Sequence, residues 1–247
     1  MMTPVPTDRP PVLARLVDFG RREIGVLSIV LAGALALLGF LSVADEVVEG
    51  ESQRFDEAVL LALRAPGNPS DPLGPPWLEQ AAAEITALAS TPVVALVALA
   101  VIGFLLVDGK PRTAALVILS VGGGMLVSTL LKLGFDRPRP DLVPHAVEVY
   151  TASFPSGHAT AAAVAYLTLG GLVSWSQPRR RVKIYVLTVA VALTALIGVT
   201  RVYLGVHWPT DVIAGWCIGA AWALAWSAVA IVLARRRDQP PAAAGPG

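Results

Sequence analysis

Three short strings in this chain hold residue types that could handle a phosphoryl group. They are Lys132-Leu-Gly-Phe-Asp-Arg-Pro-Arg139-Pro140, then Pro155-Ser156-Gly157-His158, then Arg201-Val-Tyr-Leu-Gly-Val-His207-Trp-Pro-Thr-Asp211. A phosphate ester in reaction spreads negative charge over its equatorial oxygens, so the protein's task is chiefly electrostatic. Lys132, Arg139 and Arg201 provide cations, and Arg offers a planar fork that matches two phosphate oxygens at once. Ser156 is a favoured N-cap type, and the free N–H groups of a helix that starts there would point at an anion. Gly157 has no side chain to keep the backbone away from such a group.

The histidines divide by their surroundings. Asp211 lies four residues beyond His207, a spacing that a helical turn brings onto one face. A carboxylate on one ring nitrogen fixes the tautomer and leaves the other nitrogen with an outward lone pair, so His207 is the candidate nucleophile. His158 has no carboxylate at a comparable spacing and is the candidate general acid for the leaving oxygen. His145, between the strings, is expected to have a structural or solvent role. Neutral His207 and protonated His158 are needed together, which predicts a bell-shaped dependence of kcat/KM on pH.

These groups must be positioned by elements that composition identifies as membrane spans. The chain has 247 residues, 55% hydrophobic and only 15% charged, with a mean hydropathy of +0.65. A soluble domain carries about 25% charged residues. Six stretches contain no Asp, Glu, Lys, Arg or His: Ile24–Ala44, Ile85–Val107, Thr113–Leu131, Ala159–Pro178, Ile184–Thr200 and Val212–Ala234. Each is near the ~20 residues that a helix needs to cross a bilayer. The expected fold is all-α, a polytopic membrane protein with six transmembrane helices in one bundle. A short amphipathic helix, Arg54–Arg64, is expected in the first outer loop. Ala65–Pro76 reads as a loop rich in Pro and Gly. Residues 1–23 are expected to form a flexible cytoplasmic N-terminus, 24–234 the helical domain, and 235–247 a disordered cytoplasmic tail; the extreme ends, Met1–Pro11 and Gln239–Gly247, are rich in Pro, Ala and Gly.

Lys and Arg accumulate in cytoplasmic loops. With the N-terminus inside, 13 of them fall on the inner side and 6 on the outer, of which three are the candidate cations Lys132, Arg139 and Arg201. Both termini are therefore expected in the cytoplasm. Odd-numbered spans then run outward and even ones return. Lys132 and Arg139 follow the third span, His158 begins the fourth, Arg201 ends the fifth, and His207 and Asp211 open the sixth. All the candidate residues converge on the outer rim. Ionisable groups next to a membrane core are costly, which makes a site there the default reading.

Other features narrow the function. A net charge of +1 says nothing about nucleic acid, and with no basic-aromatic interleaving no nucleic-acid partner is expected. The single cysteine, Cys217, cannot form an intrachain disulfide and reads as a small core residue. Ser42-Val43-Ala44 is similar to a signal cleavage site, but the apolar run before it is longer than a signal core, so an uncleaved helix is expected. Gly122-Gly123-Gly124 and the Gly215-x-x-x-Gly219 spacing predict close helix packing within one subunit.

The strings resemble those of the type 2 phosphatidic acid phosphatase superfamily. That pattern is Lys, six residues, Arg-Pro; then Pro-Ser-Gly-His; then Ser-Arg, five residues, His, three residues, Asp. Thr200 stands where the pattern has Ser, and it keeps the hydroxyl. The resemblance implies a membrane lipid phosphate or diphosphate as substrate, with undecaprenyl diphosphate, phosphatidylglycerol phosphate and phosphatidic acid as candidates. It implies attack by His207 to give a phosphohistidine, orientation by Asp211, and acid–base work by His158. Lys132, Arg139, Ser156, Gly157 and Arg201 would hold the phosphoryl oxygens, with no metal or other cofactor. A bacterial inner membrane with the site facing the exterior is the expected location. The oligomeric partner stays open, as does hydrolysis against transfer to an acceptor other than water. Soluble vanadium haloperoxidases resemble the same motif set, but the membrane spans speak against that branch. Two histidines and a carboxylate could suit a metal, yet three nearby cations would repel it. A transporter or lipid-binding scaffold is the non-enzyme alternative, and charge-free span interiors suit ion relay poorly.

Overall fold

The computed structural model describes residues 12–145 and 151–238. Its elements are helices α1 (Val12–Glu49) and α2 (Gln53–Ala62), a hairpin of β1 (Arg64–Ala65) and β2 (Asn68–Pro72), then α3 (Pro76–Ala87), α4 (Thr91–Val107), α5 (Pro111–Val117), a π-helical turn (Ile118–Gly122), α6 (Gly123–Gly134), α7 (Gly157–Ser176), α8 (Arg180–Tyr203) and α9 (Pro209–Asp238). Among the described residues five helices are long and apolar enough to cross a membrane, or six if α3 and α4 form one bent span. The chain is a multi-pass helical membrane protein.

The elements differ from expectation in physically readable ways. The second span is not one helix over Ile85–Val107. It starts earlier, at Pro76, and bends by 47° between α3 and α4. The cause is Ser90-Thr91-Pro92: Ser90 is extended at the head of α4, and proline in the first turn cannot continue a preceding helix. The third span carries a π-turn in its middle. The carbonyl of Ser120 accepts the indole N–H of Trp222 at 2.7 Å, and the Ser120 hydroxyl pairs with that of Thr168 at 2.8 Å. The surface helix ends at Ala62 rather than Arg64, because Arg64 enters the hairpin that fills the expected loop. α1 is helical from Val12 and α9 to Asp238, so the segments 1–23 and 235–247, expected to lack structure, are helical in part. The tails Met1–Pro11 and Gln239–Gly247 lie outside the described residues.

α7 is the central helix, packed between α8 and α9, and α1 lies along α9. Its residues Ala159 and Ala161–Ala165 bury small side chains that let helices approach. Gly215 and Gly219 of α9 sit against α7 so closely that a Cβ would come within 2.8 Å of the Ser156 and Thr160 carbonyls, respectively. Gly123 and Gly124 likewise accommodate Trp222 and Val164. The small-residue spacings thus serve packing inside the subunit.

Candidate active site

The three strings meet at one end of the bundle. Each is placed by a local device. Lys132 stands in the last turn of α6. The Ser156 side chain accepts the backbone N–H of Ala159 and starts α7 at Gly157, and just before it Phe154 is fully buried between Phe40 and Phe135. α8 ends in a Schellman turn: Gly205 N–H donates to Val202 O at 3.0 Å and Val206 N–H to Arg201 O at 3.2 Å. Gly205 has φ +74°, and a Cβ there would press on Val143 and Pro144. This reversal delivers His207 beside Arg201.

His207 lies ahead of α9, not on it. Pro209 opens the helix, and the residue before a proline avoids helical conformation. Asp211, in the first turn, reaches back instead. Its Oδ2 accepts Trp208 N–H at 2.9 Å, pairs with His207 Nδ1 at 3.3 Å, and accepts the Ser153 hydroxyl. A further backbone bond, Ser156 N–H to Asp211 O at 2.9 Å, ties the second string to the third. The i,i+4 pairing expected from spacing is therefore present, in a capping turn.

On the open side, Arg139 Nη1 stands 3.2 Å from His207 Nε2 and donates to Val206 O at 2.6 Å, while its Nε donates to Thr151 O at 2.8 Å. An arginine nitrogen only donates, so Nε2 is the acceptor and Nδ1 carries the proton toward Asp211. Burial pushes His207 down to about 3, against the opposing bond to Asp211. The imidazole is neutral at neutral pH. Burial also lowers Arg139, with Asp211 opposing.

A cavity of about 540 Å³ opens in front of these groups. Lys132, Arg139, Gly157, His158, Arg201 and His207 are among the residues that line it. His158 faces Arg201, His207, Arg139 and Lys132. Lys132 Nζ is held by Ala152 O at 2.7 Å. Arg201 is buried and donates to Thr86 Oγ1 at 3.4 Å, and its Nε has no hydrogen-bond partner among the described residues. Apolar residues line it too: Ala83, Ala87 and Ala89 around the α3–α4 bend, Met125 of α6 and Ala161 of α7. Such an arrangement can hold an anion against an imidazole lone pair and keep an apolar group between helices.

Two expected residues do not reach the cavity wall. Asp211 is buried behind His207, as an orienting group should be. Ser156 is fully buried behind Gly157 and caps α7, so only Gly157 of that pair faces the cavity. His145 bonds the Pro140 carbonyl at 2.7 Å, within its own loop. Four groups escaped the sequence reading: Asp56, Arg137, Ser153 and Thr86. Arg137 had a signal, since Arg-Pro occurs twice in succession at Arg137 and Arg139. Asp56 had one also, an acid four residues before Leu60 on the buried face of α2. Ser153 and Thr86 offered none.

Residues 113–235 match the PAP2 superfamily. Phosphatidylglycerophosphatase B of Bacillus subtilis (strain 168) is 32% identical over 188 residues, covering 74% of this chain and 86% of the relative. Lipid A 1-phosphatase of Rhizobium johnstonii is 35% identical over 119 residues, covering 44% of this chain and 43% of its own length. Undecaprenyl-diphosphatase of Sulfolobus acidocaldarius is 32% identical over 95 residues, covering 38% and 40%. The crystal structure of a transmembrane PAP2-type phosphatidylglycerolphosphate phosphatase from Bacillus subtilis superposes with a TM-score of 0.72 at 26% identity, covering 85% of this chain and 98% of that one. Likeness in sequence and fold over most of both chains means that this chain belongs to the PAP2 superfamily.

Proposed function

We propose that the chain is a membrane phosphatase that hydrolyses a lipid phosphate or diphosphate through a phosphohistidine on His207. One observation carries the reading: a single cavity is lined by three cations, two histidines and several apolar side chains together. Arg201, buried with an unpartnered Nε, suits a bound phosphoryl oxygen. The activities named for the relatives above support the same substrate class, and phosphatidylglycerol phosphate leads because the relative of that name aligns over most of both chains.

In this mechanism His207 Nε2 attacks phosphorus and the bond to the leaving oxygen breaks. His158 gives that oxygen its proton. Lys132, Arg139, Arg201 and the Gly157 N–H hold the equatorial oxygens. Water then attacks phosphorus as His158 takes its proton; the phosphorus–nitrogen bond breaks, its electron pair returns to Nε2, and phosphate leaves. Asp211 holds His207 Nδ1–H throughout. The catalytic domain spans 24–234. The lysine and arginine bias puts both termini in the cytoplasm and the cavity mouth at the exterior face of the plasma membrane, the inner membrane where there are two.

Phosphate release from purified phosphatidylglycerol phosphate, phosphatidic acid and undecaprenyl diphosphate in detergent tests the reading. Activity on at least one, lost in His207→Ala, is expected. A His207→Ala enzyme at the wild-type rate overturns the nucleophile assignment.

A further inference from the structure

Behind the cavity, a surface helix sends a carboxylate into the site's foundations. Asp56 of α2 is fully buried. Its Oδ1 accepts the Thr210 backbone N–H at 2.9 Å, and its Oδ2 accepts the Thr210 hydroxyl and Arg137 Nη2, both at 2.6 Å. The other arm of Arg137 donates to Asp211 Oδ1 at 2.7 Å and to Thr210 Oγ1 at 2.8 Å. The Arg137 side chain is itself only 10% exposed. One guanidinium therefore bridges two buried carboxylates, and one of them is the partner of His207.

We propose that Asp56 and Arg137 are positioning residues for the reaction, acting on His207 through Asp211; this rests on the reading of His207 as nucleophile. Two physical effects support it. Asp56 caps the first turn of α9 from outside that helix, where free N–H groups favour an anion. It thereby fixes the turn that aligns Asp211 with His207. Asp56 also balances Arg137. Were its charge removed, the buried guanidinium would lean on Asp211 alone and draw carboxylate charge away from Nδ1 of His207. Arginine suits the bridge because its fork serves two acceptors in one plane, which an ammonium cannot do. Neither residue lines the cavity that holds the histidines, so their influence falls on the chemical step rather than on substrate binding.

The test uses purified full-length enzyme and dioctanoyl phosphatidic acid in detergent micelles. Asp56→Asn, which keeps shape and removes charge, is expected to lower kcat about 10–100-fold, the range for outer partners of a reacting group, with KM within about twofold. Combined with Asp211→Asn it adds no further loss, because its influence passes through that carboxylate. Wild-type kcat, a rise in KM with kcat kept, or losses that multiply in the double variant would overturn the proposal. Should Asp56→Asn not fold, Arg137→Lys must show the same kcat-selective, non-additive loss; collapse of both variants marks a purely structural network and also overturns it. His207→Ala is measured alongside. Full activity there sinks the nucleophile reading itself, whereas an inactive His207→Ala with an unimpaired Asp56→Asn sinks the positioning role alone.

Discussion

Arg139 Nη1 stands 3.2 Å from His207 Nε2, so a cation rests on the lone pair that attack on phosphorus would use. The same nitrogen donates to Val206 O, and Nε to Thr151 O. These carbonyls hold the guanidinium in place, and a phosphoryl group entering the cavity would take over the contact with Nη1. Lysine has a single nitrogen, which cannot stand where both Nε and Nη1 stand, so it cannot reproduce this set of contacts. Arg139→Lys should lose a charge-assisted hydrogen bond of about 1.5–3 kcal/mol, or ~10–100-fold in kcat/KM. Phosphate-release kinetics check this; an unchanged kcat/KM would remove Arg139 from the phosphate-binding set.

His207 is expected to stay neutral well below the usual histidine range. Burial lowers it to about 3. The sign follows directly. A depressed value favours the neutral ring, so the nucleophile remains available as pH falls through 6.5 and is lost only near the folded value. The stability contributed by burying a neutral ring is present above the unfolded value near 6.5 and drains away as pH falls from there toward 3. The chain has 3 histidines, so nitrogen NMR with single-histidine variants can assign each. A His207 signal that titrates near 6.5 would contradict the burial argument. The acid limb of the bell-shaped profile then belongs to another group or to the substrate.

Ser156 separates a cap from a ligand. Its side chain accepts Ala159 N–H and is fully buried. Ser156→Ala should cost about 1 kcal/mol of stability, as for other N-caps, seen as a lower thermal midpoint. The kcat of the folded variant should change less than about threefold, because Gly157 and the three cations still meet the phosphate. A loss of a hundredfold or more with an unchanged midpoint would restore the serine as a direct ligand.

The spans and the convergence of the three strings were legible because both follow from one-dimensional rules. Length without charge marks a span, and alternation of direction sends Lys132, His158, Arg201 and His207 to the same end. Spacing also gave the His207–Asp211 contact, although through a capping turn. What stayed hidden depends on partners distant in the chain. Asp56 and Arg137 are 81 residues apart, and Asp56 and Thr210 are 154 apart, so no local pattern announces their bonds. The bend at Ser90 was hidden for another reason: Pro92 sits inside an apolar run whose hydropathy gives no break.

Gly215 tests the spacing between α7, which carries His158, and α9, whose first turn orients His207 through Asp211. A Cβ at this position would meet Ser156 O at 2.8 Å and Ala159 Cβ at 2.9 Å. The Ser156 carbonyl and the Thr160 nitrogen, the latter at 3.2 Å, are backbone atoms and leave little room to relax. Gly215→Ala should therefore separate α7 from α9, with an overpacking cost of about 1–3 kcal/mol. Because His158 and His207 lie on opposite sides of that seam, kcat should fall together with thermal stability. A variant with wild-type stability and kcat would show that the seam can yield without disturbing the site.

The cavity's apolar lining makes a prediction about tails rather than phosphates. Thr129 lines the cavity and is exposed, with its hydroxyl bonded to Met125 O at 3.0 Å. A bulkier side chain there would fill part of the cavity one helical turn before Lys132, without removing a cation or a histidine. Thr129→Trp should lower kcat/KM for a long-chain lipid phosphate by about tenfold, or ~1.4 kcal/mol. Turnover of a water-soluble aryl phosphate, which needs no tail channel, should stay within about twofold. Comparing the two substrates on one preparation isolates the tail from the chemistry. Equal losses on both would mean that this part of the cavity does not hold the lipid chain. A loss on the soluble ester alone would mean that the phosphate itself enters past Thr129.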